Sequence, residues 1–126
     1  MGTNDRIHVE DIMSTPLETI AADAALREAV TVMREKEIKA LLVPGSSMGI
    51  VTSTDVLDAI AAGDDVSELA VSDVMTAPVE TITSNLQLEE AAAMMTNFGI
   101  NHLPVVDGEG DYVGMVSSTD VTAALT

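Results

Sequence analysis

The sequence contains no cysteine, no tryptophan, and only one tyrosine and one phenylalanine among its 126 residues. Without thiols the chain forms no disulfide bonds, no thiolate metal site and no cysteine nucleophile. The two histidines, His8 and His102, lie far apart in the sequence. No apolar run approaches the roughly 18 residues that cross a bilayer, and the N-terminus has no signal-peptide pattern, so we expect a soluble cytoplasmic protein.

Basic residues are also scarce. Five Lys and Arg face 21 Asp and Glu, for a net charge of −16, and residues 40–126 contain no basic residue at all. Such a surface repels the phosphates of nucleic acids and anionic lipids, so neither is an expected partner. Because 47% of the residues are hydrophobic, the chain has enough apolar material for a core. A well-patterned domain this acidic resembles the proteins of halophiles, in which concentrated salt screens the self-repulsion.

The chain contains an internal sequence repeat. Residues 11–43 align without gaps on residues 73–105, and residues 49–60 align on residues 114–125, with 20 of 45 positions identical. We interpret residues 8–62 as the first copy, 63–72 as a linker and 73–126 as the second copy. Because one copy is marginal in size, we expect the two to form one domain with pseudo-twofold symmetry and two equivalent clefts.

Hydrophobic spacing predicts a mixed α+β fold with the order β-α-β-β-α in each copy. In the first copy the predicted elements are an extended stretch at 17–20, a helix around 26–33, strands at 39–43 and 48–52, and a helix at 55–61. The second copy repeats them at 79–82, 86–97, 102–106, 112–117 and 119–125.

Each copy contains a strand that ends in a cluster of hydroxyl residues followed by an aspartate. The two occurrences, here called the hydroxyl motifs, are Gly-Ile-Val-Thr-Ser-Thr-Asp at 49–55 and Gly-Met-Val-Ser-Ser-Thr-Asp at 114–120. Glycine permits close backbone approach, the helix N-terminus favours an anion or a hydroxyl-rich ligand, and the carboxylate can accept hydrogen bonds from a ribose diol. The same pattern is a helix-capping box, and capping alone also accounts for it.

These features together resemble a pair of CBS domains, the domain named after cystathionine β-synthase. The resemblance rests on Met-Ser-Thr-Pro at 13–16, Met-Thr-Ala-Pro at 75–78, Ile-Asn-His-Leu-Pro-Val-Val-Asp at 100–107 and both hydroxyl motifs. It extends over residues 8–125, which is nearly the whole chain.

The resemblance implies a regulatory module that binds AMP, ADP, ATP or S-adenosylmethionine in its inter-repeat clefts and pairs into a disc-like homodimer. The residues implied to contact ribose or phosphate are Thr52, Thr54, Asp55, Ser117, Thr119 and Asp120. The adenine base is expected to lie against Ile38, Lys39 and Ala40 in the cleft closed by Asp120. In the cleft closed by Asp55 the adenine base is expected to lie against Ile100, Asn101 and His102.

Few basic residues are available to neutralise a phosphate at these positions. Either a cation such as Mg²⁺ or K⁺ bridges the phosphate to the protein, or the ligand carries little negative charge, as adenosine and S-adenosylmethionine do. The sequence leaves both readings open.

No arrangement of nucleophile and base points to catalysis, and no metal site is predicted. The acidic stretch at residues 107–111 lacks the spacing of a calcium loop and is interpreted as a hairpin turn. We therefore expect a ligand sensor that signals to a partner protein by conformational change. The alternative is a structural or interaction dimer whose clefts stay empty.

Overall fold

Helices form where apolar residues recur at spacings of three and four, and short strands form where aliphatic runs lie between turns. The computed structural model describes residues 7–125. In chain order the elements are α1 (Val9–Ile12), α2 (Leu26–Lys36), β1 (Ala40–Val43), β2 (Gly49–Thr52), α3 (Ser53–Ala61), β3 (Ile82–Thr83), α4 (Leu88–Phe98), β4 (His102–Val106), β5 (Tyr112–Ser117) and α5 (Ser118–Leu125). The predicted α+β class is confirmed. No helix within the described residues has the length and apolar character that a bilayer span demands.

The chain divides into two compact units, one comprising Glu18–Val79 (unit 2) and the other Met1–Leu17 with Glu80–Thr126 (unit 1). Each unit has its own hydrophobic core. Thr126, the last residue of the predicted second copy, lies outside the described residues.

Unit 2 is built on the antiparallel pair β1 and β2, in which Ala40 lies opposite Thr52. The predicted extended stretch at 17–20 is reduced to an isolated parallel bridge between Thr19 and Leu42. Helix α2 buries Leu26, Ala29 and Met33 against this sheet, as their spacing predicts.

Unit 1 repeats this arrangement with the strand order β3, β4, β5, in which β3 is parallel and β5 antiparallel to β4. The predicted extended stretch at 79–82 is shifted, because β3 comprises only Ile82 and Thr83. Helix α4 buries Leu88, Ala91 and Met95, the counterparts of the buried residues of α2.

Short segments outside the predicted elements complete each core. In unit 1 the N–H of Val9, at the start of α1, donates to the carbonyl of Leu86 at 2.8 Å. In unit 2 the N–H of Val71 donates to the carbonyl of Ala24 at 2.9 Å. Both valines are fully buried. The predicted linker therefore contains a core residue, Val71, and it also contains the 3-10 helix Val66–Glu68 and the start of a second one, Val71–Asp73.

The two long helices end at equivalent positions with different residues. Gly99 ends α4 with a φ of 66°, and Glu37 ends α2 with a φ of 56°. Glycine adopts this left-handed conformation freely, whereas a side chain in it is strained by roughly 1–2 kcal/mol. Glu37 also places a negative charge at the negative end of the helix dipole.

We expect Glu37→Gly to stabilise the protein by about 1 kcal/mol, because it relieves this backbone strain. Gly99→Ala is the matched control and should destabilise it by a similar amount. Urea unfolding followed by circular dichroism measures both. A lower unfolding midpoint for Glu37→Gly would show that the left-handed residue is not strained.

Candidate functional site

In unit 2 the hydroxyl motif spans the end of β2 and the first turn of α3. The Asp55 N–H donates to Thr52 Oγ1 at 3.4 Å, and Asp55 Oδ2 accepts from the Thr52 N–H at 2.8 Å. The Thr52 hydroxyl also donates to Oδ2 at 3.2 Å. These bonds form a capping box, with both side chains half-buried.

Unit 1 contains the same arrangement where β5 leads into α5. Asp120 Oδ2 accepts from the Ser117 N–H at 2.9 Å, and Ser117 Oγ accepts from the Asp120 N–H at 3.1 Å. The capping function that the sequence allowed is therefore present in both copies.

Each box uses only one of the two carboxylate oxygens. Oδ1 of Asp55 and Oδ1 of Asp120 have no hydrogen-bond partner among residues 7–125. The hydroxyl-bearing side chains of Thr54 and Thr119, one residue earlier, are exposed. Two acceptors and two hydroxyls therefore remain available to a ligand while the caps stay intact.

The residues expected to contact the adenine base lie beside the hydroxyl motif of their own unit. In unit 2 the Ser53 N–H donates to the Lys39 carbonyl at 3.0 Å, and Ala40 lies opposite Thr52. Ala40 is buried, Ile38 is half-buried and Lys39 is exposed.

In unit 1 the Ser118 N–H donates to the Asn101 carbonyl at 2.9 Å, and His102 lies opposite Ser117. Asn101 is exposed, whereas Ile100 and His102 are half-buried. The structure thus brings together residues 38–40 with 52–55, and residues 100–102 with 117–120. The expected pairing of residues 38–40 with Asp120, and of 100–102 with Asp55, joins different units and stays a prediction.

Burial raises the pKa of the Asp55 carboxyl above its usual value, and the negative charge of Asp58 acts in the same direction. The hydrogen bonds from the Thr52 backbone and hydroxyl lower the pKa but do not cancel the burial effect. A further donor to Oδ1 would stabilise the charged carboxylate that the partial burial disfavours.

A third segment of the site region was missed by sequence reasoning. The N–H of Ile50 on β2 donates to the carbonyl of Thr76 at 2.9 Å, and the N–H of Thr76 donates back to Ile50 at 2.9 Å. In unit 1 Ser14 and Met115 exchange the equivalent bonds at 2.8 and 3.0 Å. The Met-x-x-Pro segments at 13–16 and 75–78 therefore flank the strands that carry the hydroxyl motifs.

The motif glycines permit this approach. A Cβ on Gly49 would lie 3.0 Å from the Thr76 carbonyl oxygen, and a Cβ on Gly114 would lie 2.5 Å from Met13 Sδ. The sequence signal for close approach was correct. The approaching group is a chain segment of the same unit.

The acidic stretch between β4 and β5 is the hairpin turn that the sequence predicted. Asp107 Oδ1 accepts from the N–H groups of Glu109 and Asp111 at 2.9 and 3.0 Å. Its carboxylate therefore stabilises the backbone of the turn.

Comparison with known proteins agrees with this repeated geometry. The family model described as "CBS domain" matches residues 9–62 and 71–126. The chain belongs to the CBS-domain family. The tandem pair expected from the sequence is confirmed.

Among its relatives, a homoserine O-acetyltransferase of Methanohalobium evestigatum is 38% identical over 118 residues, which cover 91% of this chain and 23% of that protein. The chain thus spans about a quarter of the homoserine O-acetyltransferases that it matches.

Two solved structures share the fold of this CBS pair. The CBS domain pair of protein MJ0100, in complex with 5'-methylthioadenosine and S-adenosyl-L-methionine, is 27% identical with a TM-score of 0.83, covering 95% of this chain and 96% of that one. The hexameric CBS-CP12 protein from bloom-forming cyanobacteria is 28% identical with a TM-score of 0.87, covering 94% and 71%.

We expect Gly114→Ala to destabilise the protein by about 1–3 kcal/mol, because the new methyl group overlaps the Met13 side chain. Gly108→Ala is the matched control, since a Cβ there meets nothing within 4 Å, and its effect should stay within about 0.5 kcal/mol. Urea unfolding measures both.

Adding Met13→Ala to Gly114→Ala tests the cause. If the two residues collide, the double variant should lose less stability than the sum of the single variants. Additive losses would contradict the proposed contact.

Proposed function

We propose that this chain is a regulatory CBS module that binds an adenosine-containing ligand at the hydroxyl motif of each unit. The observation that carries the proposal is the unused Oδ1 of Asp55 and of Asp120, each one residue after an exposed threonine. A vicinal diol donates two hydrogen bonds, which suits a carboxylate acceptor held rigidly by its own capping bonds.

The known complex of the MJ0100 domain pair supports this choice of ligand class, because both of its ligands contain adenosine. AMP, ADP, ATP and S-adenosylmethionine all remain candidates. The inter-repeat clefts expected from the sequence stay a prediction, and so does the conformational signal to a regulated partner.

Charge limits how a phosphate is bound. Among the twelve residues assigned to the two sites, Lys39 is the only Lys or Arg. We propose that a phosphorylated ligand is bound together with Mg²⁺ or K⁺, and that a ligand without phosphate needs no such cation.

The decisive experiment replaces each carboxylate by the amide that keeps the cap. In Asp55→Asn and Asp120→Asn the amide oxygen can still accept the capping N–H, while an NH₂ group replaces the acceptor offered to the ligand. We expect each substitution to weaken binding at its own site at least tenfold, or about 1.4 kcal/mol.

Isothermal titration calorimetry in about 2 M KCl, with and without Mg²⁺, measures the affinity. The panel is AMP, ADP, ATP, adenosine, methylthioadenosine and S-adenosylmethionine. Asp73→Asn is the matched control, because Asp73 Oδ2 accepts the Ala70 N–H at 2.8 Å in a comparable cap outside the motif. Unchanged affinity in both motif variants would refute the site. No binding by folded wild-type protein would refute the function.

We further propose that the module forms a homodimer and has no catalytic activity of its own. It would act on a partner that is a separate protein or a domain linked to it. Exposed apolar side chains on the helices favour protein contacts. They equally favour the second candidate, an interaction module with empty clefts, which predicts partner binding that is indifferent to nucleotide. The cytoplasmic location expected from the sequence stays a prediction.

The charge balance supports a last proposal, that the protein is adapted to a cell interior with a high salt concentration. The 21 Asp and Glu face only five Lys and Arg, and one of these five, Lys36, pairs with Glu18 at 3.7 Å. Most carboxylates therefore have no Lys or Arg to neutralise them, and they repel one another.

We expect the melting temperature to rise by more than about 5 °C between roughly 0.1 M and 2 M KCl, which corresponds to about 1 kcal/mol. Sucrose at matched osmolality is the control, because it raises stability without screening charge. A melting temperature that responds to sucrose and not to KCl would contradict halophilic adaptation.

A further inference from the structure

The chain contains no cysteine but eight methionines, so the thioether is its only sulfur group. Two of these methionines, Met13 and Met75, begin the two Met-x-x-Pro segments and occupy equivalent positions in the repeat. Both are half-buried, and each packs against the hydrophobic core of its own unit. The fold therefore packs part of each residue and leaves the rest accessible to small solutes.

Both methionines lie against the glycine that begins the hydroxyl motif of their unit. The three atoms nearest to a Cβ on Gly114 would all belong to Met13, with Sδ at 2.5 Å. The Met75 Sδ would lie 3.4 Å from a Cβ on Gly49. In both units a sulfur atom therefore occupies the space next to the motif glycine, more tightly in unit 1 than in unit 2.

The residue after each methionine forms the backbone bonds that hold the segment on the motif strand. Ser14 exchanges two bonds with Met115, and Thr76 exchanges two with Ile50. The motif strands enter their capping boxes two residues after these partners. Displacement of either methionine therefore disturbs the segment one residue before the bonds that support the motif.

We propose that Met13 and Met75 are oxidation sites at which a peroxide loosens the Met-x-x-Pro segments from the hydroxyl motifs. The thioether sulfur attacks one peroxide oxygen, the O–O bond breaks and an S–O bond forms. Sulfur gives up two electrons. With hydrogen peroxide the second oxygen takes the proton of the transferred oxygen and leaves as water. The product is methionine sulfoxide, which is larger than methionine and polar.

The sulfoxide is poorly suited to the contact that the thioether makes. Its oxygen requires a hydrogen-bond donor, whereas the sulfur faces a glycine and an apolar core. Movement toward solvent satisfies that oxygen and draws the segment away from the motif strand. We expect the greater effect at Met13, because three of its atoms pack against Gly114. Reductases convert the sulfoxide back to methionine, so the change is reversible.

Peroxide treatment of the folded protein, followed by peptide mass spectrometry, measures the reaction at each methionine. Met33 and Met95 are 6% and 7% exposed and serve as protected references. We expect Met13 and Met75 to be converted several times faster than these two. The oxidised protein should melt at least about 5 °C below the untreated protein, and methionine sulfoxide reductases should restore the melting temperature.

Leucine has a volume similar to that of methionine but no sulfur, so Met13→Leu with Met75→Leu keeps the packing and removes the reaction. We expect this double variant to lose less than half as much melting temperature on peroxide treatment as the wild-type protein. Met94→Leu is the matched control, because Met94 is also half-buried and packs against the core of unit 1 but lies on α4. It should lose as much as the wild-type protein.

Conversion of Met13 and Met75 no faster than that of Met33 and Met95 would overturn the proposal. Full conversion at both without a lower melting temperature would also overturn it, as would equal losses in the double variant and in Met94→Leu. If the double variant fails to fold, the wild-type protein decides. A loss that persists after the reductases have removed both sulfoxides would then count against the proposal, and recovery would support it.

The effect of oxidation on stability requires no ligand, whereas its effect on ligand affinity rests on the proposed function. We expect the oxidised protein to bind the ligand selected by calorimetry at least tenfold more weakly than the untreated protein. Absence of binding by the untreated protein would refute the ligand site and leave the melting-temperature test intact. The two failures are therefore distinguishable.

Discussion

In each unit, the strand that leads into the hydroxyl motif is paired on two sides. One side carries the hairpin partner, and the other carries a Met-x-x-Pro segment bonded through Ile50 and Thr76 in unit 2 and through Ser14 and Met115 in unit 1. The second contact brings the neighbouring segment close to the motif glycines. A Cβ on Gly49 would lie 3.0 Å from the Thr76 carbonyl oxygen, and a Cβ on Gly114 would overlap the Met13 side chain. Positioning of the motif therefore depends on a glycine at its first position, where a side chain would force the neighbouring segment to shift.

This contact also explains why the compact units differ from the sequence repeats. The segment at 75–78 belongs by sequence to the second copy, yet it pairs with the β2 strand of the first. The segment at 13–16 pairs with β5 of the second copy in the same way. Each unit thus includes chain from both copies, because its strands come from one copy and the Met-x-x-Pro segment that pairs with them comes from the other.

In the hydroxyl motif, capping leaves part of the aspartate carboxylate unused. A carboxylate has two oxygens, and the box needs only Oδ2 of Asp55 or Asp120. The capping bonds fix the side-chain rotamer, so the proposed binding of a ligand to Oδ1 would cost less side-chain entropy. The capping geometry is therefore compatible with the proposed ligand role.

Local patterns in the sequence predicted the elements that depend on local chemistry. The spacing of Leu26, Ala29 and Met33 located α2, and the Ser/Thr-x-x-Asp spacing located the starts of α3 and α5 to within two residues. The register that places residues 38–40 beside Thr52 followed from one short hairpin. These features involve neighbours in the sequence, so periodicity and turn residues suffice to predict them.

The features that were missed depend on distant residues. Helix α1 has four residues, too few for a periodic pattern, and Val71 lies in a stretch that reads as a polar linker although its side chain is fully buried. No local signal shows that Met13 packs against Gly114, about 100 positions later in the sequence. The glycine in the motif indicated that another group lies close to the strand, and only the fold identifies that group as Met13.

The two copies differ where the core does not constrain them. The core positions of α2 and α4 hold identical residues, whereas the exposed Arg27 is replaced by Glu89. Beside the motifs, the exposed Lys39 is replaced by Asn101, which is also exposed. Packing requires the same shape in both units, but solvent-exposed positions are free to diverge in charge. The two hydroxyl motifs therefore share one capping geometry but have different neighbouring charges. If both bind the proposed ligand, this difference in charge favours unequal affinities.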